Sequence, residues 1–375
     1  MVRAASFTGS EPESNFITVA IDQNNDSGPD PVKLAARTTR AFLGFRLDCM
    51  QCHDDMFGDR WKQKDFHQLA AFYAPAKNTI TGVRDEDKTT YQYTFNKRNG
   101  DVDVHPMVPF LPELQEDRGS LRTQLAHWVT HPENKAFART AVNRVWALLF
   151  GRPLVEPVDS IPLDGPWPPG METLAEDFMG YGYDLQRLIR LIAATRVFQL
   201  DSRAMGADET ISEVQEKALA SFVLSRLRPE QVAGSILQAS SLTTIDAQSH
   251  ILIKLARAAQ QGDFVKRYGD IGEDEFGADG GTIPQKLLLM NGDLVQEKIG
   301  DNIFVNAATR IGALAPTDTS AVETAYLAVL SRRPTPAEAD YFEEKLAACG
   351  KKERSNAMAD IYWSLINATE FSWNH

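Results

Sequence analysis

A chain of 375 residues is longer than one hydrophobic core usually serves, so two or more domains are expected. Its 43% hydrophobic and 24% charged residues are ordinary for a globular protein, while a net charge of −12 argues against nucleic acid or an anionic membrane as partner. No apolar run reaches the length of a membrane span, and three cysteines are too few for a disulfide framework.

Residues 1–30 read as an N-terminal remnant or linker. They are mostly polar, with one short apolar stretch from Phe16 to Ile21 that reads as a strand or as the trace of missing structure. The opening MVRAASFTGSEPESNF has no apolar core and is not a secretory signal, so the chain is expected to continue a longer precursor. At Asp30-Pro31 a helix is predicted, with Asp30 as cap, Pro31 in the first turn, and Leu34, Ala35, Phe42 and Leu43 as its apolar stripe. It is expected to run into Cys49, and a second helix from about Lys64 to Tyr73 follows a short loop. Thr89 to Phe95 alternates as a strand does, Asn99-Gly100 signals a turn, and Asp101 to Val104 returns. Residues 31–117 therefore read as one domain carrying Cys49-Met50-Gln51-Cys52-His53 and a small β-hairpin.

Residues 118–375 read as a C-terminal helical domain. Leu121, Leu125, Trp128 and Val129 line one helix, and Phe137, Ala141, Val145, Trp146 and Leu149 line the next, which stops at Gly151. A proline-rich loop, 153–169, precedes helices near 171–179 and 184–196, and Pro229 opens another. Residues 269–282 read as a polar loop. Ser320-x-x-Glu323 and Thr335-x-x-Glu338 are capping-box patterns, and two apolar series, Val322 to Leu330 and Met358 to Ile366, follow the helical period. The fold class is mainly α: multi-helix domains with one small β-hairpin insertion.

The chemistry centres on Cys49, Cys52 and His53. Two thiols two residues apart can meet the two vinyl groups of a porphyrin, and a histidine directly after them can reach its iron. With three cysteines and seven histidines in the chain, chance would produce the pattern on the order of 0.0005 times. The expected cofactor is covalent haem c, with His53 as proximal ligand. His105 and His67 are the candidate distal ligands, since Met56 lies too close to His53 to cross the ring. Arg46, Arg60 and Lys64 are candidate propionate partners, and Phe57, Trp61, Phe66, Phe72 and Tyr73 are dense enough for a pocket wall. Other readings stay open. A thiol-redox pair gains from a helix N-terminus, whereas the upstream helix would place these cysteines at a C-terminus. Zinc needs further ligands, for which His67, Cys349 or Asp54 would have to converge. The plainest reading is two packed cysteines beside a surface histidine. His127 and His131 share the i, i+4 spacing of a metal pair, which more often marks a solvated face.

Residues 41–61, AFLGFRLDCMQCHDDMFGDRW, followed by Asp65-Phe66-His67-Gln68-Leu69-Ala70-Ala71-Phe72-Tyr73, resemble a planctomycete-type family of secreted proteins of unknown function. Members often carry a separate cytochrome-c-like module near the N-terminus. The likeness continues through Leu125 to Asn134, Ala141 to Trp146, Phe150 to Asp159, Leu288 to Gly292 and Asn367 to His375. Where the family commonly has a second histidine two places after the first, this chain has Asp55. The resemblance implies an exported, periplasmic or otherwise extracytoplasmic protein, often encoded beside sulfatase-like partners and linked to polysaccharide use. It also matches the family's Val-x-His-Pro segment to Val104-His105-Pro106, which favours His105 as distal ligand. It implies no reaction, because the family is uncharacterised.

The function expected from these residues is electron transfer or redox support of polysaccharide metabolism. It would involve a redox partner protein or a sulfatase-like one, with carbohydrate as the metabolite concerned. The alternative is a non-redox binding or scaffold module with zinc-binding or packed cysteines. Whether the chain is an enzyme is left open; a catalytic reading would use an open haem position or the acidic residues Glu273, Asp274, Glu275 and Asp279, which are more simply solvated.

Overall fold

The computed structural model describes residues 12–20, 28–56, 58, 60–79, 82–86, 89–95, 100–202, 213–222, 224–246, 249–269, 282–300, 302–350 and 353–374. The fold is mainly α, as the apolar periodicity predicts, and the chain separates into two units, Met1–Gln199 and Leu200–His375.

In the first unit the described part of the N-terminal segment, residues 12–20, is neither a strand nor detached, while residues 1–11 and 21–27, Ile21 among them, lie outside the described residues. Asn15–Thr18 forms a single helical turn, α1, and Ile17 and Ala20 are fully buried in the same core as Leu34 and Leu69. Phe16 lies against Phe42 with ring centroids 5.1 Å apart. A short apolar stretch goes wherever a neighbour offers it burial, and here that neighbour is the helix that follows. Asp30 starts that helix, α2 (Pro31–Thr38), by accepting hydrogen bonds from the amides of Val32 (2.9 Å) and Lys33 (3.2 Å). The helix does not run into Cys49. It widens into a π-type turn over Thr39–Leu43 and ends at Gly44, whose φ of 72° is the left-handed conformation that stops helices. Cys49 sits beyond this stop, on a separate 3-10 turn spanning Asp48–Gln51.

Helix α3 is Gln63–Ala71, followed by two hairpins rather than one. The unexpected one pairs β1 (Ala76–Thr79) with β2 (Gly82–Asp85); Lys77, Asn78 and Thr79 carry no apolar alternation to announce it. The expected one pairs β3 (Tyr91–Tyr93) with β4 (Val102–Val104), Tyr91 opposite Val104, although Asn99 of its turn signal lies outside the described residues. Helices α4 (Leu121–Val129), α5 (Ala136–Phe150), α6 (Met171–Gly180) and α7 (Leu185–Ala193) complete the unit. The division expected at 117/118 thus falls inside a compact unit, because Leu125, Trp128, Val129 and Ala136 join the core that also holds Leu47 and Met50.

The second unit contains α8 (Glu213–Lys217), α9 (Pro229–Ser240), α10 (Ile251–Tyr268), α11 (Ile283–Asn291), α12 (Asp293–Ile299), α13 (Ala307–Leu314), α14 (Asp318–Leu330), α15 (Pro336–Ala347) and α16 (Arg354–Ile366). A short pair, β5 (Ser225–Arg226) with β6 (Trp373–Asn374), ties its first and last segments together. Val322, Ala325, Tyr326 and Val329 of α14 and Met358, Ile361, Tyr362, Leu365 and Ile366 of α16 form the core predicted from their spacing. The Thr335–Glu338 capping box is present, but Ser320 is not a cap. Thr317 takes that place by accepting from the Ser320 amide (3.1 Å), which puts Ser320 inside the first turn. The acidic residues Glu273, Asp274, Glu275 and Asp279 lie outside the described residues.

Arg332, just after α14, grips two carboxylates at once. It donates to Glu338 through Nη1 and Nη2 (2.9 Å each) and to Glu370 through Nε (2.6 Å) and Nη2 (2.9 Å). These bonds hold the Glu338 carboxyl down to a pKa of about 2. With the folded value depressed, the bonds contribute fully above the ordinary value of 4.5 and are lost as pH falls through about 2. Arg332→Ala is expected to lower the second unit's stability by about 1–2 kcal/mol, a modest figure because the cluster is partly solvated. Urea denaturation near neutral pH measures it, and an unchanged midpoint would show that the cluster is only a surface ornament.

Candidate haem-attachment site

The turn carrying the two cysteines is fixed from inside. Leu47 and Met50 are buried in the core, and their burial turns Cys49, Cys52 and His53 outward, all exposed. Arg40 clamps the start of the turn by donating from Nε to Asp48 (2.5 Å). The carbonyl of Gln51, between the cysteines, accepts three hydrogen bonds, from Gln63 Nε2 (3.1 Å), His67 Nε2 (3.0 Å) and the Tyr93 hydroxyl (3.0 Å). After the motif, Asp54 Oδ1 accepts from the Gln63 amide (2.9 Å) and the Asp55 amide donates to the Trp61 carbonyl (3.0 Å), closing the loop onto α3. None of the three cysteines is in a disulfide.

His53 is oriented by its own neighbour. Its Nδ1 lies 2.7 Å from the Asp54 carbonyl, and a carbonyl only accepts, so Nδ1 carries a proton and Nε2 is the nitrogen that holds the lone pair in the neutral ring. That is the arrangement a metal-ligating histidine takes, with the second nitrogen donating to an oxygen. Two outward thiols and an imidazole with Nε2 bare make up the donor set that covalent haem requires.

Other expected participants sit elsewhere. His67 has no nitrogen to spare for iron: Nε2 donates to Gln51, and Nδ1 faces the Tyr91 hydroxyl at 2.9 Å. It is fully buried and stacked on Tyr93, ring centroids 3.4 Å apart. Its work is to brace the turn. Phe66, Phe72 and Tyr73 are fully buried core residues rather than a pocket wall, Tyr73 sharing a 2.6 Å hydrogen bond with Thr38. Phe57 lies outside the described residues. Trp61 stacks flat on Phe45 (5.3 Å, 5°). Arg60 pairs with Asp164 (2.5 Å) and Arg46 with the buried Asp159 (2.8 Å), so both cations are already neutralised, whereas Lys64 is exposed with no side-chain partner among the described residues. His105 is exposed just after β4, where the Met107 amide reaches the Gln68 carbonyl of α3 (3.4 Å). His127 is exposed on α4, but His131 falls beyond the helix end and accepts from the Glu133 amide (3.2 Å), so the two do not form a helical pair. Among the described residues no three His, Cys, Asp or Glu side chains gather as metal ligands would.

The proline-rich loop is part of this site, which sequence reading missed. The Ile161 amide donates to the Gly44 carbonyl (2.8 Å), and Asp159 and Asp164 supply the partners of Arg46 and Arg60. Asn143 of α5 holds the loop, donating to the carbonyls of Val155 (2.9 Å) and Val158 (3.3 Å) and accepting from the Val155 amide (2.9 Å). Next to it, Arg144 donates to the Arg40 carbonyl at the π-type turn (3.1 Å). An asparagine in mid-helix was the available signal, since asparagine is a poor helix former unless its amide has work to do.

Two family models match. Residues 5–78 match PSCyt2, a protein of unknown function (DUF1549), and residues 121–263 match PSD1, a protein of unknown function (DUF1553). No curated protein and no solved structure matches the chain. The first match contains Cys49, Cys52 and His53 together with α3, so the N-terminal residues around α1 lie within it. The second begins at the first residue of α4, close to the boundary read at 118, and continues across the division between the compact units into α10.

The brace at His67 has a pH signature. Burial pushes its pKa below the ordinary 6.5, so the folded chain holds it neutral. Between the lowered value and 6.5 the unfolded chain binds a proton that the folded one refuses, so stability is complete above 6.5 and declines as pH drops below it. Urea midpoints of the first unit measured from about pH 8 to about pH 5 are expected to fall, and His67→Gln, which keeps a donor without titrating, is expected to flatten that slope. An identical slope in the variant would assign the pH dependence to other groups.

Proposed function

We propose that this chain is an extracytoplasmic c-type haem protein that passes single electrons to a partner protein, in the setting of polysaccharide metabolism. Cys49 and Cys52 would hold the porphyrin through thioethers, and His53 would ligate the iron through Nε2. The observation that carries this reading is His53 itself, with Nδ1 committed to the Asp54 carbonyl and Nε2 bare beside two outward thiols. When bound, the haem supplies an iron that gains and loses one electron reversibly.

The chain's residues do the positioning. Gln63, His67 and Tyr93 fix the carbonyl between the thiols, and the buried Met50 keeps those thiols facing outward. Arg40 locks the entry to the turn, and the Asp54–Gln63 bond locks its exit. With His67 occupied, His105 is the remaining candidate for a second histidine that would hold the group; it is exposed, on a segment tied to α3, with no side-chain partner among the described residues. No helix among the described residues is long and apolar enough to cross a membrane. Export is supported by the resemblance, and by the chemistry, since thioether attachment takes place outside the bacterial cytoplasm.

The test is to express the chain behind an export signal in a host competent for haem maturation. Acid–acetone extraction should leave the colour on the protein, and reduction in pyridine should give the α-band of a bis-thioether haem. A colourless protein with two titratable thiols, or one carrying zinc instead of iron, would overturn the reading.

A further inference from the structure

Helix α10 of the second unit is seated with its polarity reversed. Leu252, Leu255, Ala256 and Ala259 stand at i, i+3, i+4 and i+7, the stripe by which a helix ordinarily enters a core. All four are exposed, Leu252 to 67% and Leu255 to 56%. The two charged side chains of the same three turns, Lys254 and Arg257, are half-buried on the opposite side. Arg257 donates to the Ile245 carbonyl (2.9 Å), and Gln261, one turn on, donates to the Glu230 carbonyl of α9 (3.2 Å). Phe264 and Tyr268, near the end of the helix, join the core. The helix is thus anchored through its polar side chains and its C-terminal turns, while its apolar N-terminal stripe faces water. A continuous apolar surface held out on a rigid element marks a contact.

Charge, size and symmetry select the occupant. Each chain carries a net charge of −12, so two copies repel one another over most of their surface. The stretch between Asp246 and Asp263 contains no acidic residue, and its two cations are turned away from the stripe, so here a like-charged copy can approach. An anionic lipid surface would need those cations on the outer side, beside the leucines. We propose that α10 pairs antiparallel with α10 of a second copy, about a two-fold axis between residues 255 and 256. That arrangement sets large against small: Leu252 over the second copy's Ala259, and Leu255 over its Ala256. Alanines at the contact let the helix axes approach to about 8 Å, the close end of the usual range. Four side chains cover well under the roughly 800 Å² per partner of a stable complex, so the dimer is reversible, with a Kd on the order of 10–100 µM. The pairing is independent of the cysteine-bearing turn and of what that turn holds.

Sedimentation equilibrium of the full chain, from about 1 to about 200 µM, tests it. The mass should climb from the monomer's 41.7 kDa toward twice that value. Ala256→Glu and Ala256→Lys each set like charges against one another at the axis, and each should weaken pairing at least about 10-fold. Ala256 is exposed, so neither substitution should move the urea midpoint of the dilute monomer. Mixed in equal amounts, the two variants should pair again as a heterodimer, which requires a face that meets its own copy. A chain that stays monomeric at the highest concentration, a dimer indifferent to either substitution, or a mixture that fails to recover would overturn the proposal. So would a monomer that binds phosphatidylcholine or phosphatidylglycerol vesicles through this face, since lipid would then be the occupant. A fall in the dilute midpoint would overturn it as well, because the stripe would then already be covered within one chain.

Discussion

With Cys49→Ala and Cys52→Ala introduced together, the exported protein is expected to lose all covalently held haem while keeping its fold. Both side chains are exposed and neither belongs to the core, so their loss removes almost no buried apolar surface. The turn is held by groups that the substitutions leave alone, namely the Gln51 carbonyl with its three donors and the buried Leu47 and Met50. Haem staining after denaturing electrophoresis should be positive for the parent and blank for the double variant, while circular dichroism and the urea midpoint stay the same. Each single variant should keep one thioether and stain, with an altered α-band. Equal staining of the double variant would mean that the colour does not come from this turn. Loss of the fold would mean that the thiols are structural.

The second large effect belongs to Gly44. It ends the π-type turn with a φ of 72°, and a Cβ there would stand 2.5 Å from Thr140 Oγ1 and 2.8 Å from Ile161 Cδ1. Thr140 does not yield easily, and the backbone of Ile161 is tied to Gly44. The Thr140 hydroxyl donates to the Ala136 carbonyl (2.7 Å), and the Ile161 amide donates to Gly44 itself. Gly44→Ala is therefore expected to cost about 3 kcal/mol or more, combining the left-handed penalty with overpacking. Gly100→Ala is the matched control: its φ of 91° carries a similar backbone penalty, but a Cβ there meets nothing within 4 Å among the described residues, so about 1 kcal/mol is expected. Urea unfolding of the two variants, followed by fluorescence, separates strain from clash. Equal losses would show that the contacts with Thr140 and Ile161 do not hold the proline-rich loop against the turn.

What could be read from the residues was local. Asp30 as cap, the Gly151 stop, the Thr335–Glu338 box and the β3–β4 hairpin depend on groups within a few residues of one another, so composition and spacing reveal them. Cys49, Cys52 and His53 are likewise close in sequence, which is enough to put all three on one exposed stretch of chain. Where a side chain's role depends on a partner far along the chain, spacing is silent. His67 looked free to bind iron because nothing in its neighbourhood shows that the Gln51 carbonyl, 16 residues earlier, and Tyr91, 24 residues later, would take its two nitrogens. Phe66, Phe72 and Tyr73 looked like a pocket wall because aromatic density does not say which way the rings face; α3 and the turn that follows it place them in the core. Asp159 and Asp164 were unremarkable in sequence, and only folding brings them to Arg46 and Arg60, 113 and 104 residues away. The resemblance carried more than periodicity could: its segments between residues 41 and 73 and between Leu125 and Asp159 fall within the two family matches, while Leu288 to Gly292 and Asn367 to His375 lie beyond them.

The most direct measurement is the mass of the proteolytic peptide spanning Cys49 to His53, taken from exported protein matured with haem. Two thioethers and one imidazole gripping a single porphyrin predict a peptide heavier by one haem, with fragmentation placing the added mass on both sulfurs. A peptide at its unmodified mass, its two thiols still open to alkylation, would contradict the account.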